Sequence, residues 1–404
     1  MQILLVTEKL NIFVSLVAHL GTAERGGRNV VSGRNVVRSI LNLAPSLSVD
    51  NCSRQDVMMK GPLLIIVAAG WLAVAAAFSP SPADGVRRLT AQLSTHRDVE
   101  EKKEATLPSL ASQVRSVNYF ISRKCNYACK FCFHTAKTSH YLTLEQAKLG
   151  LRLLKDAGTE KINFAGGEPF LHPELLGELC KISSELGIAV SIISNGSRIT
   201  SEWMDKYGSF VDVLGVSVDS FQPETNALIG RGDGSNNNDI QRIFSVRERC
   251  SRHDIMFKMN TVVNRYNWEE DMTSHVQKLE PERWKVFQVL LLEGENSGIR
   301  EGELRDARPL VISNEEFWAF VNRHKVDEKL DKILIPEPND VMQNSYLLLD
   351  EEMRFLDCSG GAKVPSDSIL KVGVEQALSQ AGFDFDMFQG RGGIYDWKKT
   401  TTAG

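Results

Sequence analysis

Cysteine is scarce in this chain: seven residues in 404, three of them packed into one short stretch. Disulfide frameworks belong to short, cysteine-dense secreted chains, so that architecture is excluded. The three clustered cysteines instead read as a metal or cluster site in a reducing compartment. An excess of one charge is also missing. Lys and Arg number 47 against 51 Asp and Glu, a net charge of −4, so no bulk attraction draws the chain to nucleic acid. Any anionic ligand requires a local basic site. The sequence lacks an apolar run of full membrane-spanning length, which takes about 20 residues. The one long run, Pro62 to Phe78, follows Met58-Met59-Lys60 and ends near Ala75-Ala76-Ala77. A basic flank, an apolar stretch and a small-residue exit compose a secretory signal or presequence. A retained membrane anchor is the alternative. The position of this signal suggests that Met58 or Met59 is the true start.

The N-terminal segment has no periodic core pattern. Gly27-Arg28-Asn29-Val30-Val31 repeats at Gly33-Arg34-Asn35-Val36-Val37, and residues 79–115 are polar and charged. Residues 1–115 are therefore expected to be a disordered, targeting or anchor segment with its linker. From Val117 strand-like and helix-like runs alternate. The strands are expected at 117–122, 161–165, 189–194, 212–218, 257–263 and 285–292. The first helix has a capping box, Thr143-x-x-Gln146, and stops at Gly158. Further helices are expected at about 174–186, 201–207, 239–252 and 269–279. Six successive βα units imply an α/β fold, as an open parallel sheet or an incomplete barrel. After Gly294 the pattern loosens to a helix near 314–325, a strand-like Tyr346–Leu349 and a Gly-rich end. The expected division is a barrel over 116–300 and a C-terminal extension over 301–404 that covers the active site.

Cys125, Cys129 and Cys132 follow the first strand with the spacing C-x₃-C-x₂-C. Three thiolates can hold three irons of a [4Fe–4S] cube, and the fourth iron keeps the open position that catalysis needs. S-adenosylmethionine can fill that position. The bland alternative is a zinc site completed by His134 or His140. The aromatics Tyr127 and Phe131 inside the motif favour the cluster. The second strand ends in Gly166-Gly167-Glu168-Pro169, where glycines permit close backbone approach and Glu168 can accept from an ammonium group. Ser194-Asn195 and Ser217-x-Asp219 end strands three and four, where βα folds bind ligands, and are candidates for the ribose and carboxylate.

Parallel strands buried on both faces normally read as continuous apolar runs. Here Lys161 and Asn163, Ser217 and Asp219, Lys258 and Asn260, and Arg283 and Lys285 alternate with apolar partners. A period of two puts each polar set on one face, toward a lumen. Solvated edge strands could show the same pattern singly, but four strands together favour the lumen. Four converging cations there need an anion. Phosphate is the natural one, and that much charge fits a triphosphate.

These stretches together resemble the viperin family of antiviral radical-SAM enzymes, from about 116 to 397. The resemblance runs through the cysteine motif to Lys137, through Glu160–Phe164 and the Gly-Gly-Glu-Pro-Phe turn, and through Ile193–Ser197. It continues through Leu228–Gly232, Arg283–Gln288, Glu293–Asn296 and Met353–Leu356. It implies a partial (β/α)₆ barrel and a nucleotide substrate. It further implies conversion of CTP to 3′-deoxy-3′,4′-didehydro-CTP, an antiviral chain terminator of innate immunity, through a 5′-deoxyadenosyl radical. By that resemblance Lys161, Lys258, Arg283 and Lys285 bind the triphosphate, and Asn118, Asn260 and Tyr346 contact base or ribose. An electron donor and the iron–sulfur assembly machinery are the implied protein partners. Family placement is at the endoplasmic reticulum membrane, although the Ala77-Phe78 junction also resembles a bipartite plastid presequence, and a cytoplasmic location is a further alternative. Ala165 replaces a family serine, and the chain runs past Trp397 where many relatives end in tryptophan. Two other functions compete. A peptide-modifying radical-SAM enzyme would bring a cysteine-rich C-terminal module, yet only Cys358 follows Cys250. A non-catalytic membrane interaction protein would need neither the cofactor loop nor the cationic lumen.

Overall fold

Alternating side chains build the sheet. In Lys161–Ala165, Ile162 and Phe164 turn outward into the core under the helices, while Lys161 and Asn163 turn the other way. The computed structural model describes residues 113–232, 239–342 and 344–398, all within one compact unit. The apolar run 62–78 and the Val-Val repeat lie outside the described residues.

Ten strands form one sheet in the order β10-β9-β8-β1-β2-β3-β4-β5-β6-β7. Strands β1 (Ser116–Phe120), β2 (Lys161–Ala165), β3 (Ala189–Ser194), β4 (Val213–Ser217), β5 (Met256–Val263), β6 (Arg283–Gln288) and β7 (Leu334–Glu337) run parallel in sequence order. The short β8 (Leu347–Leu349) returns to pair parallel with β1, so eight strands are parallel rather than the six expected. β9 (Arg354–Asp357) and β10 (Val364–Ser368) add an antiparallel edge. β8 falls within the strand expected at Tyr346–Leu349, whereas β7 escapes the sequence pattern because it is only four residues long and carries Pro336. Proline cannot donate to a ladder and is tolerated there because β7 ends the sheet.

Helices fill the outer layer. They are α1 (Leu144–Asp156), α2 (Pro173–Glu185), α3 (Ser201–Tyr207), α4 (Pro223–Leu228), α5 (Asp239–Arg252), α6 (Thr273–Leu279), α7 (Asn314–Lys325) and α8 (Glu328–Ile333). The expected capping box starts α1, with Thr143 accepting from the Gln146 amide and Gln146 reaching back to the Thr143 amide. α1 buries Ala147, Gly150, Leu151 and Leu154 against the sheet. Fully buried side chains such as Leu151, Phe164 and Trp284 each contribute about 1.5–3 kcal/mol through burial. The small helices α9 (Asn339–Met342), α10 (Ile369–Val372), α11 (Val374–Leu378) and α12 (Phe385–Gly390) belong to the C-terminal part. Among the described residues no helix is long and apolar enough to cross a membrane.

Candidate active site

The loop after β1 carries the three clustered cysteines. All three are half-buried, and none is in a disulfide. The Cys132 amide donates to the Cys129 carbonyl at 3.2 Å, and the Tyr127 amide to Cys125 Sγ at 3.4 Å. Burial pushes Cys125 up to about 11 and Cys129 to about 12, and raises Cys132 as well. Their negative charges would raise one another, so the three thiols share one neighbourhood. Such thiols become thiolates when a cationic centre offsets their burial, which suits iron ligation. No three His, Cys, Asp or Glu side chains among the described residues close around a single ion. A four-iron cube does not require that, because each thiolate binds a different iron. The donor set therefore fits a cluster. Cys180 and Cys250 are sealed in the core instead.

The zinc alternative is disfavoured by where His134 points. Its Nδ1 accepts from Lys363 Nζ at 2.8 Å, and its Nε2 faces Glu351 at 3.8 Å. Burial and the adjacent Lys363 hold His134 neutral. It belongs to a buried network that the sequence reading missed. Arg123 pairs with Glu295 at 2.9 Å and Glu351 at 3.2 Å, and Glu295 also accepts from the Thr135 amide and hydroxyl. Burial pushes Glu295 up, but Lys363 and Arg123 outweigh it and hold the carboxyl at about 2. Asn296 donates to the Phe131 carbonyl at 2.9 Å. Residues 293–296 thus clamp the cysteine loop from the C-terminal side. The resemblance flagged this stretch without giving it a role.

The Gly-Gly-Glu-Pro turn lies directly beneath the loop. A Cβ on Gly166, which has φ +127°, would stand 2.4 Å from the Ser122 carbonyl oxygen, and one on Gly167 2.0 Å from that of Lys124. Only glycine allows the two segments to touch, and the Gly167 and Glu168 amides donate to those carbonyls. The close approach is therefore to the cysteine loop itself. Glu168, fully buried, accepts from Phe170 N, Ser194 Oγ and Asn195 N at 2.7–3.0 Å. Its carboxylate ties the end of β2 to the end of β3, rather than standing free for an ammonium group. Pro169 opens the short 3₁₀ turn that follows. Asn195 extends the tie to Asn126 on the loop at 3.0 Å.

Asp219 is likewise engaged. Arg231 Nη1 reaches Oδ2 at 2.8 Å, and the Val262 amide reaches Oδ1 at 2.8 Å. Arg231 also donates to the Ser217 carbonyl, lies 5.7 Å from the Tyr127 ring centre and lowers the Cys125 and Cys129 thiols. It stands beside both the cysteine loop and the ends of β3 and β4, in a cleft it shares with Arg242, and no role was assigned to it from sequence. Gly230 and Gly232, both at positive φ, were the available signal. A cleft opens here between Tyr127, Asn195, Ser217, Ser220, Asn226 and Arg231. Phe131 is half-buried and packs on the core beside it.

The cations lie lower in the same lumen. Lys161 and Arg283 are the first residues of their strands, and Lys258 and Lys285 sit two places into theirs. The cysteine loop leaves from the opposite, C-terminal strand ends. Between the two zones Phe120, Ala165, Ile193, Leu348 and Leu356 form an apolar girdle. Asn118 and Asn163 are adjacent and bonded at 2.8 Å, and the Oδ1 atoms of Asn163 and Asn260 are buried without partners. Lys258 is 7% exposed and has no hydrogen bond or ion pair among the described residues. Burial, then its neighbours Lys285 and Lys161, hold it well below the usual lysine range. Lys285 bonds Glu337 and, at 3.0 Å, Tyr346 Oη, yet burial still draws it down to about 7. Burial pushes Glu337 up, but Lys285 and Arg391 outweigh it and hold the carboxyl at about 2.

The chain's own tail closes the lower mouth. Tyr395 Oη accepts from Lys161 at 3.1 Å, and its ring centre lies 4.2 Å from the Arg283 guanidinium. Arg283 also donates to the Gly392 carbonyl at 3.3 Å, while its Nε has no partner. Arg391 lies over the Tyr346 ring at 3.8 Å, and Trp397 packs with Phe388 on Ala189. The extension thus meets the barrel at both ends, through Lys363 above and residues 388–397 below. Glu337, Arg391 and Tyr395 were all missed from sequence. They come from segments with weak periodicity, and only the fold brings them to the lumen.

Comparison with known proteins agrees with this architecture. The radical SAM superfamily pattern matches residues 119–278. A zebrafish (Danio rerio) protein named S-adenosylmethionine-dependent nucleotide dehydratase RSAD2 is 54% identical over 289 residues, 70% of this chain and 78% of its own length. A Flammeovirga pacifica protein named S-adenosylmethionine-dependent nucleotide dehydratase is 36% identical, over 70% of this chain and 97% of its own. Streptococcus suis SuiB bound to S-adenosylmethionine shares the fold, with a TM-score of 0.50 and 16% identity over 81% of this chain and 78% of that one. Native anSMEcpe with bound AdoMet and Cp18Cys peptide gives 0.51 at 13% identity, over 70% and 84%. The chain belongs to the viperin family of S-adenosylmethionine-dependent nucleotide dehydratases, within the radical SAM superfamily.

Proposed function

We propose that this enzyme dehydrates CTP to 3′-deoxy-3′,4′-didehydro-CTP. Cys125, Cys129 and Cys132 would hold a [4Fe–4S] cluster, and the cleft between Tyr127, Asn195, Ser217 and Arg231 would receive S-adenosylmethionine. Bound together, these groups supply a 5′-deoxyadenosyl radical that can remove a ribose hydrogen. The protein's share is binding, orientation and exclusion of water. Arg231 offers a guanidinium to the methionine carboxylate, with Asp219 keeping it in place. Lys161, Lys258, Arg283 and Lys285 would take the triphosphate, while Asn118, Asn260 and Tyr346 face the ribose and base. The apolar girdle between the two zones would keep water from the reacting carbons.

Lys258 carries this reading. A lysine this buried and without a partner costs free energy unless an anion joins it. Two other lumen cations lean on the chain's own tail as weak substitutes, Lys161 on a phenol oxygen and Arg283 on a carbonyl. The names of the relatives support a nucleotide as that anion. The test is anaerobic cluster reconstitution, followed by measurement of 5′-deoxyadenosine with each ribonucleoside triphosphate in turn. CTP should stimulate its formation most and yield a product lighter by one water. Equal turnover with all four triphosphates, or stimulation by a peptide alone, would sink the assignment.

A further inference from the structure

The turn between β9 and β10 reverses the usual order of burial. Val364 is 60% exposed, and Gly360, Gly361 and Pro365 are exposed with it, whereas the Lys363 side chain is only 6% exposed. An ammonium group is costly to bury unless its three protons find acceptors. Lys363 has the Phe133 carbonyl at 2.6 Å, His134 Nδ1 at 2.8 Å and Glu295 Oε1 at 3.4 Å. The first two belong to the residues directly after Cys132. The third is on the carboxylate that also takes the Thr135 amide and hydroxyl. The backbone joins in, because the Glu293 amide donates to the Gly361 carbonyl at 2.8 Å. Segments 133–135, 293–295 and 361–363 therefore meet at one ammonium group.

That group is also close to a candidate cluster ligand. The Cys132 thiol donates to the His134 carbonyl at 3.3 Å, one residue from the Phe133 carbonyl that Lys363 holds. Burial raises the Cys132 thiol, and among the cations that lower it Lys363 comes ahead of Arg305. Arg123 and Lys363 together balance Glu295 and Glu351, and His134 adds no charge. Loss of Lys363 alone would leave one negative charge in excess behind Cys132.

We propose that Lys363 is a positioning residue for the cluster: it fixes the segment after Cys132, and its buried positive charge eases the entry of the electron. The inference rests on the cluster assignment above. A reduced cluster carries one more negative charge than an oxidised one, so a cation fixed behind a ligand favours the reduced form. Little water stands between them to screen that charge.

The test is a redox titration of the reconstituted full chain followed by electron paramagnetic resonance, without nucleotide or S-adenosylmethionine. Lys363→Met keeps the reach of the side chain and removes its charge. It should move the one-electron equilibrium toward the oxidised form by about tenfold, a midpoint lower by ~59 mV. Lys363→Arg keeps the charge and should stay close to the wild type. In the cluster-free chain, trypsin should cut the exposed Lys130 and Lys137 sites faster in Lys363→Met than in the wild type. Should Lys363→Met take up no iron, Glu295→Gln decides, since it removes the opposing charge and should raise the midpoint. An unchanged midpoint in Lys363→Met, an equal fall in Lys363→Arg, or a midpoint that does not rise in Glu295→Gln overturns the proposal. Equal cleavage of the cluster-free chains overturns the positioning role. A wild-type chain that gives no cluster signal would instead count against the cluster assignment.

Discussion

The two ends of the lumen handle charge in opposite ways. Near the cysteine loop every buried charge meets a partner within the chain: Asp219 meets Arg231, Glu168 meets the β3 end, and Arg123 meets Glu295 and Glu351. In the lower lumen one carboxylate, Glu337, pairs with Lys285 and Arg391 alone, and Lys258 has no partner among the described residues. Satisfied charges hold a scaffold in one conformation, whereas unsatisfied ones wait for a ligand. The upper end therefore has its shape fixed beforehand. The lower end has its charge left open.

The sharpest way to break this contrast is at the cysteines. Cys129→Ala should abolish cluster binding, about four irons per chain, and all S-adenosylmethionine cleavage, whereas Cys180→Ala should retain both; iron analysis and visible absorbance report the outcome. Next, the two ends should respond to loss of a cation with opposite sign. Arg231→Ala strands a buried carboxylate and should lower unfolding stability by about 3–5 kcal/mol. Lys258→Met removes an orphan and should raise the stability of the ligand-free protein by about 1–3 kcal/mol. Denaturant titration of both variants checks the signs, and a destabilised Lys258→Met would overturn the contrast. At the ligand level, Lys285→Ala should weaken CTP binding by roughly ten- to hundred-fold, or about 1.5–3 kcal/mol, without loss of the cluster. CMP should bind far less well than CTP, and calorimetry should show that gap shrinking in the variant.

The smallest effect is on pH dependence. Lys285 is drawn down to about 7 in the free protein, and a phosphate beside it restores the charged form. Binding therefore takes up protons above pH 7. CTP affinity should fall as pH rises from 7 to 9, by up to about tenfold per unit for each proton taken up. Calorimetry in buffers of different ionisation enthalpy measures that uptake directly. Proton release on binding would show that Lys285 does not meet the phosphate.

How much of this was legible follows from range along the chain. Strands 161–165 and 189–194 were readable to the residue because each carries its own alternation or apolar run. The cysteine motif and the glycine turn were equally local. What escaped was contributed from afar. Glu337 reaches Lys285 from 52 residues away, and Tyr395 reaches Lys161 from 234. Neither segment has a periodicity that announces a lumen. Glu168 was read correctly as belonging to the loop region, but its hydrogen bonds to Ser194 and Asn195 depend on a strand-end contact that spacing does not encode.

The pairing of β8 with β1 has a consequence for how the molecule is made. Asn118 donates to Leu347, 229 residues further along, so one edge of the first strand is covered only after most of the domain has been synthesised. Until then β1 presents an open ladder beside a cysteine-bearing loop, a template for mispairing. Contacts of such span also slow folding. Chaperones present during expression should therefore improve the soluble yield more than stabilising any helix. The fraction of chains lost to aggregation should depend on how quickly residues 345–349 arrive.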